Sequence, residues 1–170
     1  FVDFDDLDAV KAAIDENTRA VFCETIANPG GYVTDLEAIA AIAEAAQVPL
    51  IVDNTTATPY LCNPIQYGAT LVTHSLTKYL TGNGTVTGGG IVDSGTFDWT
   101  AAGKFPSLTE PEPAYHGLKF HETFGPAAFT FHSIAIGLRD LGMTMNPQGA
   151  HYTLMGIESL SLRMDKHVAN

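Results

Sequence analysis

The stretch VPLIVDNTTATPYLCNPIQYGATLVTHSLTKY, residues 48–79, decides the fold. It contains two short apolar runs, Pro49–Val52 and Thr70–Thr73, and each run ends in polar residues. Short runs rich in Val, Leu and Ile predict strands that are buried on both faces. Ala20–Cys23 is a similar run upstream, and Val86–Val92, weakened by three glycines, is a fourth candidate strand.

Helical patterns alternate with these strands. Leu7, Val10 and Ile14 form one apolar helix face, and Thr34–Glu37 has the form of a capping box that begins a helix running to about Ala46. Strands that alternate with helices predict an α/β fold, in which a mostly parallel sheet is covered by helices.

The second half of the chain has a different pattern. Residues 99–125 are rich in Gly, Pro and aromatic side chains and are predicted to form a long irregular loop. Pro126 suits the first turn of a helix that reaches about Leu141, and a last helix is predicted from Ala150 to Val168.

Composition excludes several classes of function. The formal net charge is -11, and no basic stripe is visible, which argues against nucleic acid or anionic membranes as partners. No run of about 18 apolar residues predicts a membrane span. Cys23 and Cys62 form no CxxC motif, so a reducing cytoplasm is the expected location. The chain has no initiator Met, and we expect it to be part of a longer protein.

The ends of three predicted strands carry polar side chains: Glu24–Asn28, Asp53–Thr55 and His74–Lys78. Because ligands bind beyond the carboxyl ends of parallel strands, these residues are expected to surround one crevice. Lys78 is the only Lys or Arg between Arg19 and Lys104. An amine next to an apolar strand is readily desolvated, and we expect Lys78 to face Asp53 and the hydroxyls as a nucleophile.

Simpler interpretations exist for each residue. Lys78 could be a surface lysine, Asp53 could cap a turn through Asn54, and Asn28 before Pro29 could be a turn residue. The glycines at 82–90 match neither a P-loop nor GxGxxG, and Ser75 is not in a GxSxG elbow. The six histidines form no clear metal-binding motif, and no metal site is predicted.

Three motifs resemble the Cys/Met-metabolism family of fold-type I pyridoxal-phosphate (PLP) enzymes. They are Glu24–Pro29, Val52–Thr55 and His74–Tyr79. Ala114–Gly117 with Glu122–Ala128, and Gly156–Met164 with Lys166–Val168, are most similar to the O-acetylhomoserine sulfhydrylase group of that family.

The resemblance implies a role for each site residue. Lys78 would form the internal aldimine with PLP and then move protons. Asp53 would pair with the pyridinium nitrogen, Asn28 would bond the ring O3′, and Ser75 and Thr77 would bind the phosphate. The cofactor would supply the difficult electronics.

The implied reaction replaces the acetate of O-acetylhomoserine with sulfide or methanethiol, which gives homocysteine or methionine. The resemblance also implies that residues 1–170 are part of the PLP-binding large domain. Residues 1–98 would form the sheet region, 99–125 the loop, and 126–170 helices that lead to a missing C-terminal domain. A homo-oligomer is implied, with active sites built across a dimer and a tetramer expected.

Other functions stay open from the sequence. One is a γ-lyase or γ-synthase of the same family that acts on cystathionine or methionine. Another is a non-catalytic α/β domain that binds a ligand in the same crevice, with Lys78 incidental. A flavodoxin-like or NAD-binding domain is disfavoured by the missing glycine fingerprint.

Overall fold

The computed structural model describes all residues, 1–170, and contains a four-stranded sheet in the order β1-β2-β3-β4. The strands are β1 Val21–Glu24, β2 Leu50–Asp53, β3 Leu71–Ser75 and β4 Gly89–Asp93. The first three are parallel, whereas β4 runs antiparallel to β3. The mostly parallel α/β sheet predicted from sequence is therefore confirmed. The fourth strand is shorter than predicted because it begins at Gly89 rather than Val86.

Two capped helices cover one face of the sheet, α1 Leu7–Ala13 and α2 Leu36–Ala45. Asp6 accepts a hydrogen bond from the Ala9 N–H at 2.9 Å, and Asp35 accepts one from Ala38 at 3.1 Å, so both satisfy free N–H groups of a first turn. The capping residue of α2 is thus Asp35. Thr34 instead donates its hydroxyl proton to the Glu24 carbonyl at 2.7 Å.

The core beneath these helices is aliphatic. It is formed by one face of β1, β2 and β3 together with the inner faces of α1 and α2, and its least exposed side chains are Ile39, Leu50 and Val52. Each side chain of this kind stabilises the fold by roughly 1.5–3 kcal/mol when it is fully buried. This packing fixes the strands and therefore the positions of their carboxyl ends.

Short helices and an aromatic cluster cover the opposite face. Leu71 packs there with Trp99, Leu108, Phe120 and Ala128. Residues 99–125, which were predicted to form an irregular loop, contain the turns Ala101–Gly103 and Pro113–Tyr115 and the helices α4 Pro106–Thr109 and α5 Phe120–Phe124. Aromatic packing orders this segment. The rings of Trp99 and Phe129 stack with their centroids 5.2 Å apart, and Phe97, Trp99 and Phe105 form three edge-to-face pairs with one another.

The last third of the chain is helical. A turn at Gly125–Ala127 leads to α6 Ala128–His132 and a π-helical segment at Ser133–Asp140, close to the single helix predicted from Pro126. The predicted final helix is two helices, α7 Pro147–Glu158 and α8 Leu160–Ala169. The longest helix has 12 residues, and no helix meets the length and hydropathy that a bilayer span requires.

Between β2 and β4 the chain forms three short helical segments. They are α3 Thr58–Leu61, a turn at Pro64–Tyr67, and a π-helical turn at Leu76–Leu80. We call Leu76–Leu80 the lysine turn, because it carries Lys78. Its backbone kinks at Lys78, with φ -90° and ψ -123°.

Candidate active site

The carboxyl ends of the three parallel strands meet at one edge of the sheet. Glu24 is opposite Asp53, and Asp53 is opposite Thr73, two residues before Ser75. This register confirms the prediction that the polar strand ends lie together. The register follows from the burial of the apolar strands, because shifting one strand by one residue would turn its apolar side chains away from the core.

A cavity of about 970 Å³ opens at this edge. Asp53 and Ser75 lie in its wall, as do Gly88, which precedes β4, and the first two residues of that strand, Gly89 and Gly90. The opposite wall comes from the π-helical segment Ser133–Asp140 and the loop that follows, including Met143 and Met145. Glycine backbone, apolar side chains and a few polar groups are the usual lining of a small-molecule site.

One carboxylate oxygen of Asp53 accepts a hydrogen bond within the chain, and the other does not. Oδ1 accepts a hydrogen bond from the Thr55 N–H at 2.8 Å, which is a turn cap of the kind that the sequence left open, although through Thr55 rather than Asn54. Oδ2 accepts no hydrogen bond within the chain, and it can therefore accept one from an N–H donor of a ligand.

His74 lies close enough to Asp53 for their charges to interact. Burial lowers the pKa of His74 below the ordinary value of 6.5, whereas the Asp53 carboxylate and a backbone contact at Asn54 act in the opposite direction. The His74 Nδ1 atom is buried and has no hydrogen-bond partner. Burial therefore favours the neutral form of the His74 imidazole.

Ser75 and Thr55 connect the ends of β3 and β2. The Ser75 N–H donates to the Thr55 hydroxyl oxygen at 2.7 Å, which joins the two polar strand ends directly. The Ser75 hydroxyl itself has no partner within the chain and lines the cavity. It is therefore free to donate to an anionic oxygen.

Thr77 is hydrogen-bonded to the backbone of Gly88, which directly precedes β4. Its Oγ1 accepts a hydrogen bond from the Gly88 N–H at 3.0 Å and donates to the Gly88 carbonyl at 3.3 Å. The hydroxyl is next to the cavity wall through Gly88, although Thr77 does not itself line the cavity. To bind a phosphate, the Thr77 hydroxyl would have to give up its 3.3 Å hydrogen bond to the Gly88 carbonyl and donate to a phosphate oxygen instead.

Lys78 differs from the sequence-based expectation. The residue is exposed, does not line the cavity, and makes no hydrogen bond or ion pair within the chain. The desolvated amine that the sequence led us to expect is therefore not present in this chain. The physical reason is that the lysine turn buries Leu80 and partly buries Leu76 and Tyr79, which leaves Lys78 on the outer side of the kink.

Asn28 is also exposed and lies outside the cavity. Its backbone N–H donates to Glu24 Oε2 at 2.8 Å, which holds the turn at the end of β1 near the other strand ends. No hydrogen bond occupies its side-chain amide. The structure thus places Asp53 and Ser75 on the cavity and Thr77 beside it, whereas Asn28 and Lys78 lie off the cavity in exposed positions of the segments that follow β1 and β3.

The donor set fits a cationic heterocycle that carries a phosphate. A carboxylate oxygen without a partner matches a protonated ring nitrogen, and the free Ser75 hydroxyl matches a phosphate oxygen. At Gly88 a Cβ atom would lie 2.9 Å from the Met145 Cε, so a glycine at this point of the wall preserves the space. No group of three or more His, Cys, Asp or Glu side chains has a metal-binding arrangement.

The fold and this donor set suit a phosphate-bearing cofactor such as PLP, and comparison with known proteins gives the family. The chain belongs to the Cys/Met metabolism PLP-dependent enzymes, whose family profile matches residues 1–170. It is 52% identical over 172 residues to a homocysteine synthase from Schizosaccharomyces pombe, with 100% of this chain and 40% of the relative covered.

Solved structures agree with the family assignment. A protein from Campylobacter jejuni, assigned as an O-acetylhomoserine (thiol)-lyase, superposes with a TM-score of 0.92 at 38% identity, covering 97% of this chain and 41% of that one. That structure contains N'-pyridoxyl-lysine-5'-monophosphate. Cystathionine γ-lyase from Lactobacillus plantarum gives a TM-score of 0.68 at 30% identity, covering 95% of this chain and 34% of that one. This chain therefore spans about two fifths of the length of its relatives.

Three residues that matter to the site geometry were not singled out by sequence reasoning. Thr55 joins two strand ends, Gly88 holds Thr77, and Arg163 contacts the lysine turn. Thr55 and Gly88 lie within polar or glycine-rich stretches that the sequence did mark. Arg163 is 85 positions after Lys78, and no local signal connects the two residues.

Proposed function

We propose that the whole protein containing this segment replaces the acetate of O-acetylhomoserine with a sulfur nucleophile, so that the Cγ–O bond breaks and a Cγ–S bond forms. With sulfide the products are homocysteine and acetate, and with methanethiol they are methionine and acetate. The observation that carries the proposal is the meeting of an uncommitted Asp53 oxygen and a free Ser75 hydroxyl on one cavity, with Lys78 in the turn that follows. The substrate is inferred from the names of the relatives reported above.

PLP, when bound, supplies an electron sink next to the amino-acid Cα. Asp53 Oδ2 would accept a hydrogen bond from the protonated ring nitrogen and so keep the ring electron-poor. The Ser75 Oγ would donate to a phosphate oxygen, and Thr77 would add a second hydroxyl. The Asn28 amide, at the rim, would donate to the ring oxygen.

Lys78 Nζ is the amine that would hold the cofactor covalently. Once free, it would move protons at substrate Cα and Cβ while acetate leaves from Cγ and the sulfur nucleophile adds there. An amine can switch protonation during turnover, whereas a guanidinium stays charged throughout, so Lys suits this task and Arg does not. Lys78 is exposed in this chain, and we expect other parts of the assembly to cover it.

We further propose that residues 1–170 belong to the PLP-binding large domain, with a C-terminal domain after them. Active sites would be built across a dimer within a homotetramer, and this is supported by an exposed amine at the rim of an otherwise formed site. A cytoplasmic location is supported by Cys23 and Cys62, which are both free thiols.

The full-length protein tests the proposal in two assays. Borohydride reduction followed by peptide mapping is expected to place a pyridoxyl mass increment on Lys78. Lys78→Ala is expected to lose that increment and the associated turnover by at least about 10³-fold, in the range seen when a covalent nucleophile is removed. A pyridoxyl increment retained elsewhere, with activity intact in the variant, would contradict the assignment.

Substrate choice needs a separate comparison. Turnover of O-acetylhomoserine with sulfide or methanethiol is compared with turnover of cystathionine and of methionine. Activity on cystathionine or methionine alone would replace our proposal with a γ-lyase or γ-synthase of the same family. Absence of any PLP binding would favour a non-catalytic ligand-binding domain.

A further inference from the structure

Arg163 on α8 is bonded to the backbone of the lysine turn. Its Nη1 donates to the Tyr79 carbonyl at 2.7 Å, and Tyr79 directly follows Lys78. Its Nη2 donates to the Gly156 carbonyl at 2.7 Å, and its Nε donates to the Ser159 hydroxyl at 3.1 Å. One guanidinium therefore connects the lysine turn to the end of α7 and the start of α8.

This guanidinium is not used in an ion pair. The two ion pairs in the chain involve Lys11 and Lys119, so the partners of Arg163 are neutral oxygens. Charge-assisted hydrogen bonds of this length are stronger than neutral ones, and the planar fork of Arg fixes their directions. Half-buried Arg163 thus links the lysine turn rigidly to α7 and α8 and is not a solvated surface cation. We call its three hydrogen bonds, to Tyr79, Gly156 and Ser159, the Arg163 bracket.

Close packing leaves the bracket little freedom. A Cβ at Gly82 would lie 2.7 Å from the Arg163 Cζ, so the turn passes directly against the guanidinium plane. A Cβ at Gly156 would lie 2.6 Å from the Leu80 carbonyl oxygen and would also overlap the Thr81 carbonyl. Around this contact, Leu80 packs with Leu160 and Met164 of α8.

The same helix is anchored near the other half of the site. Asp165 Oδ1 accepts a hydrogen bond from the Tyr60 hydroxyl at 2.9 Å, and Tyr60 lies in α3, seven residues after Asp53. Helix α8 is therefore attached to the segments that follow both Asp53 and Lys78. A single helix that contacts both segments limits how they can move relative to each other.

We propose that Arg163 is a positioning residue for Lys78, because it fixes the backbone of the lysine turn that carries the amine against α8. The proposal rests on the proposed function for the identity of Lys78 as the reacting amine. Arg163 does not touch the cavity and acts only through the backbone of the turn. The Lys78 amine makes no hydrogen bond or ion pair within the chain, so the backbone of the turn is what sets its position.

The test compares Arg163→Met and Arg163→Lys in the full-length protein with Arg19→Met as the matched control. Arg19 also donates a guanidinium hydrogen bond to a backbone carbonyl, that of Glu16, but it is exposed and precedes β1. Two readouts are taken: amide hydrogen exchange of the 76–82 peptide in the cofactor-free protein, and kcat and KM of the loaded enzyme below its melting temperature.

Arg163→Met is expected to speed exchange in residues 76–82 and to lower kcat by about 10- to 100-fold with a much smaller change in KM, because misplacement of the amine affects the reacting geometry. Arg163→Lys is expected to recover part of both, since an ammonium can reach one carbonyl but not three acceptors. Arg19→Met is expected to match the parent protein in both readouts.

A merely structural role predicts a different result, in which the melting temperature falls but exchange in 76–82 and kcat do not change, and that result would overturn the proposal. If Arg163→Met does not fold, Ser159→Ala removes one acceptor of the bracket and is expected to shift the same readouts in the same direction by less; no shift in Ser159→Ala then overturns it. If the parent protein shows no pyridoxyl mass increment at Lys78, the proposed function is refuted. The role assigned to Arg163 then falls with it, whatever the exchange data show.

Discussion

Thr55 and Ser75 are joined by a hydrogen bond of 2.7 Å, in which the Ser75 backbone N–H donates to the Thr55 hydroxyl oxygen. The bond joins Thr55, two residues after the end of β2, to the last residue of β3. These two strands carry the Asp53 carboxylate and the Ser75 hydroxyl that line the cavity. The spacing between Asp53 and Ser75 therefore depends on a side chain as well as on the sheet.

We predict that Thr55→Val destabilises the full-length protein by about 1–3 kcal/mol, because a partly buried N–H loses its acceptor while the side-chain volume is kept. Thr55→Ser keeps the hydroxyl and is expected to cost clearly less. Urea unfolding at constant pH measures both. Equal stability of the two variants would show that the hydrogen bond between Thr55 and Ser75 contributes little.

Gly156 leads to a second prediction. A methyl group there would press on the carbonyl of Leu80, so Gly156→Ala is expected to destabilise the protein by roughly 1–3 kcal/mol through overpacking. Gly137→Ala is the matched control, because its Cβ would meet only the Met143 Cε at 3.4 Å and helical Ala is favoured over Gly. Thermal unfolding of the two variants should show opposite or clearly unequal shifts.

Two half-buried histidines, His74 and His132, predict a pH dependence of stability. Burial lowers the pKa of both His74 and His132, while Asp53 and Glu112 respectively act against that shift. A folded pKa below the unfolded value means that the contribution to stability is present above about 6.5 and is lost as the pH falls below it. Urea midpoints measured between about pH 8 and pH 5 should decrease toward the acid side.

The carboxylate contribution can be isolated in the cofactor-free protein. Asp53→Asn removes the group that raises the pKa of His74, so the NMR titration of His74 is expected to move to lower pH, and that of His132 is expected to stay in place. A His74 titration that moves upward in Asp53→Asn would contradict the interaction inferred here.

The two thiols should differ in reactivity. Burial, with a smaller effect from the charge of Glu24, raises the pKa of Cys23 to about 12, and burial also raises the pKa of Cys62. Because the thiolate is the reacting form, we expect iodoacetamide to alkylate native Cys23 much more slowly than Cys62, and both to react alike in guanidinium. Timed alkylation with peptide mapping measures this, and faster labelling of native Cys23 would show that the β1 face opens readily.

Local signals predicted much of the sheet. The apolar runs before Glu24, Asp53 and His74 are each complete within a few residues, and parallel pairing then brings their polar ends together. The direction of β4 could not be predicted in this way, because a glycine-rich strand has too few side chains to show which face is buried. Its antiparallel pairing with β3 depends on the tight return of the chain after the lysine turn.

The environment of Lys78 was the least predictable feature. Its isolation among acidic residues is visible in the sequence, but exposure is decided by which segments pack over it, and those contacts are distant in the chain. The break between α7 and α8 has a similar origin. Nothing in the sequence around Ser159 is a strong helix stop, whereas the bonds from Arg163 to Ser159 and Gly156 hold the two helices at this joint.

Gly156 brings the main chain of one helix against the main chain of the lysine turn, with no side chain between them. An engineer who wishes to move the Lys78 amine therefore cannot remodel the loop around Lys78 alone. The loop and the α7–α8 joint form one inseparable building block, and libraries that vary only the first half of the chain should rarely relocate the Lys78 amine.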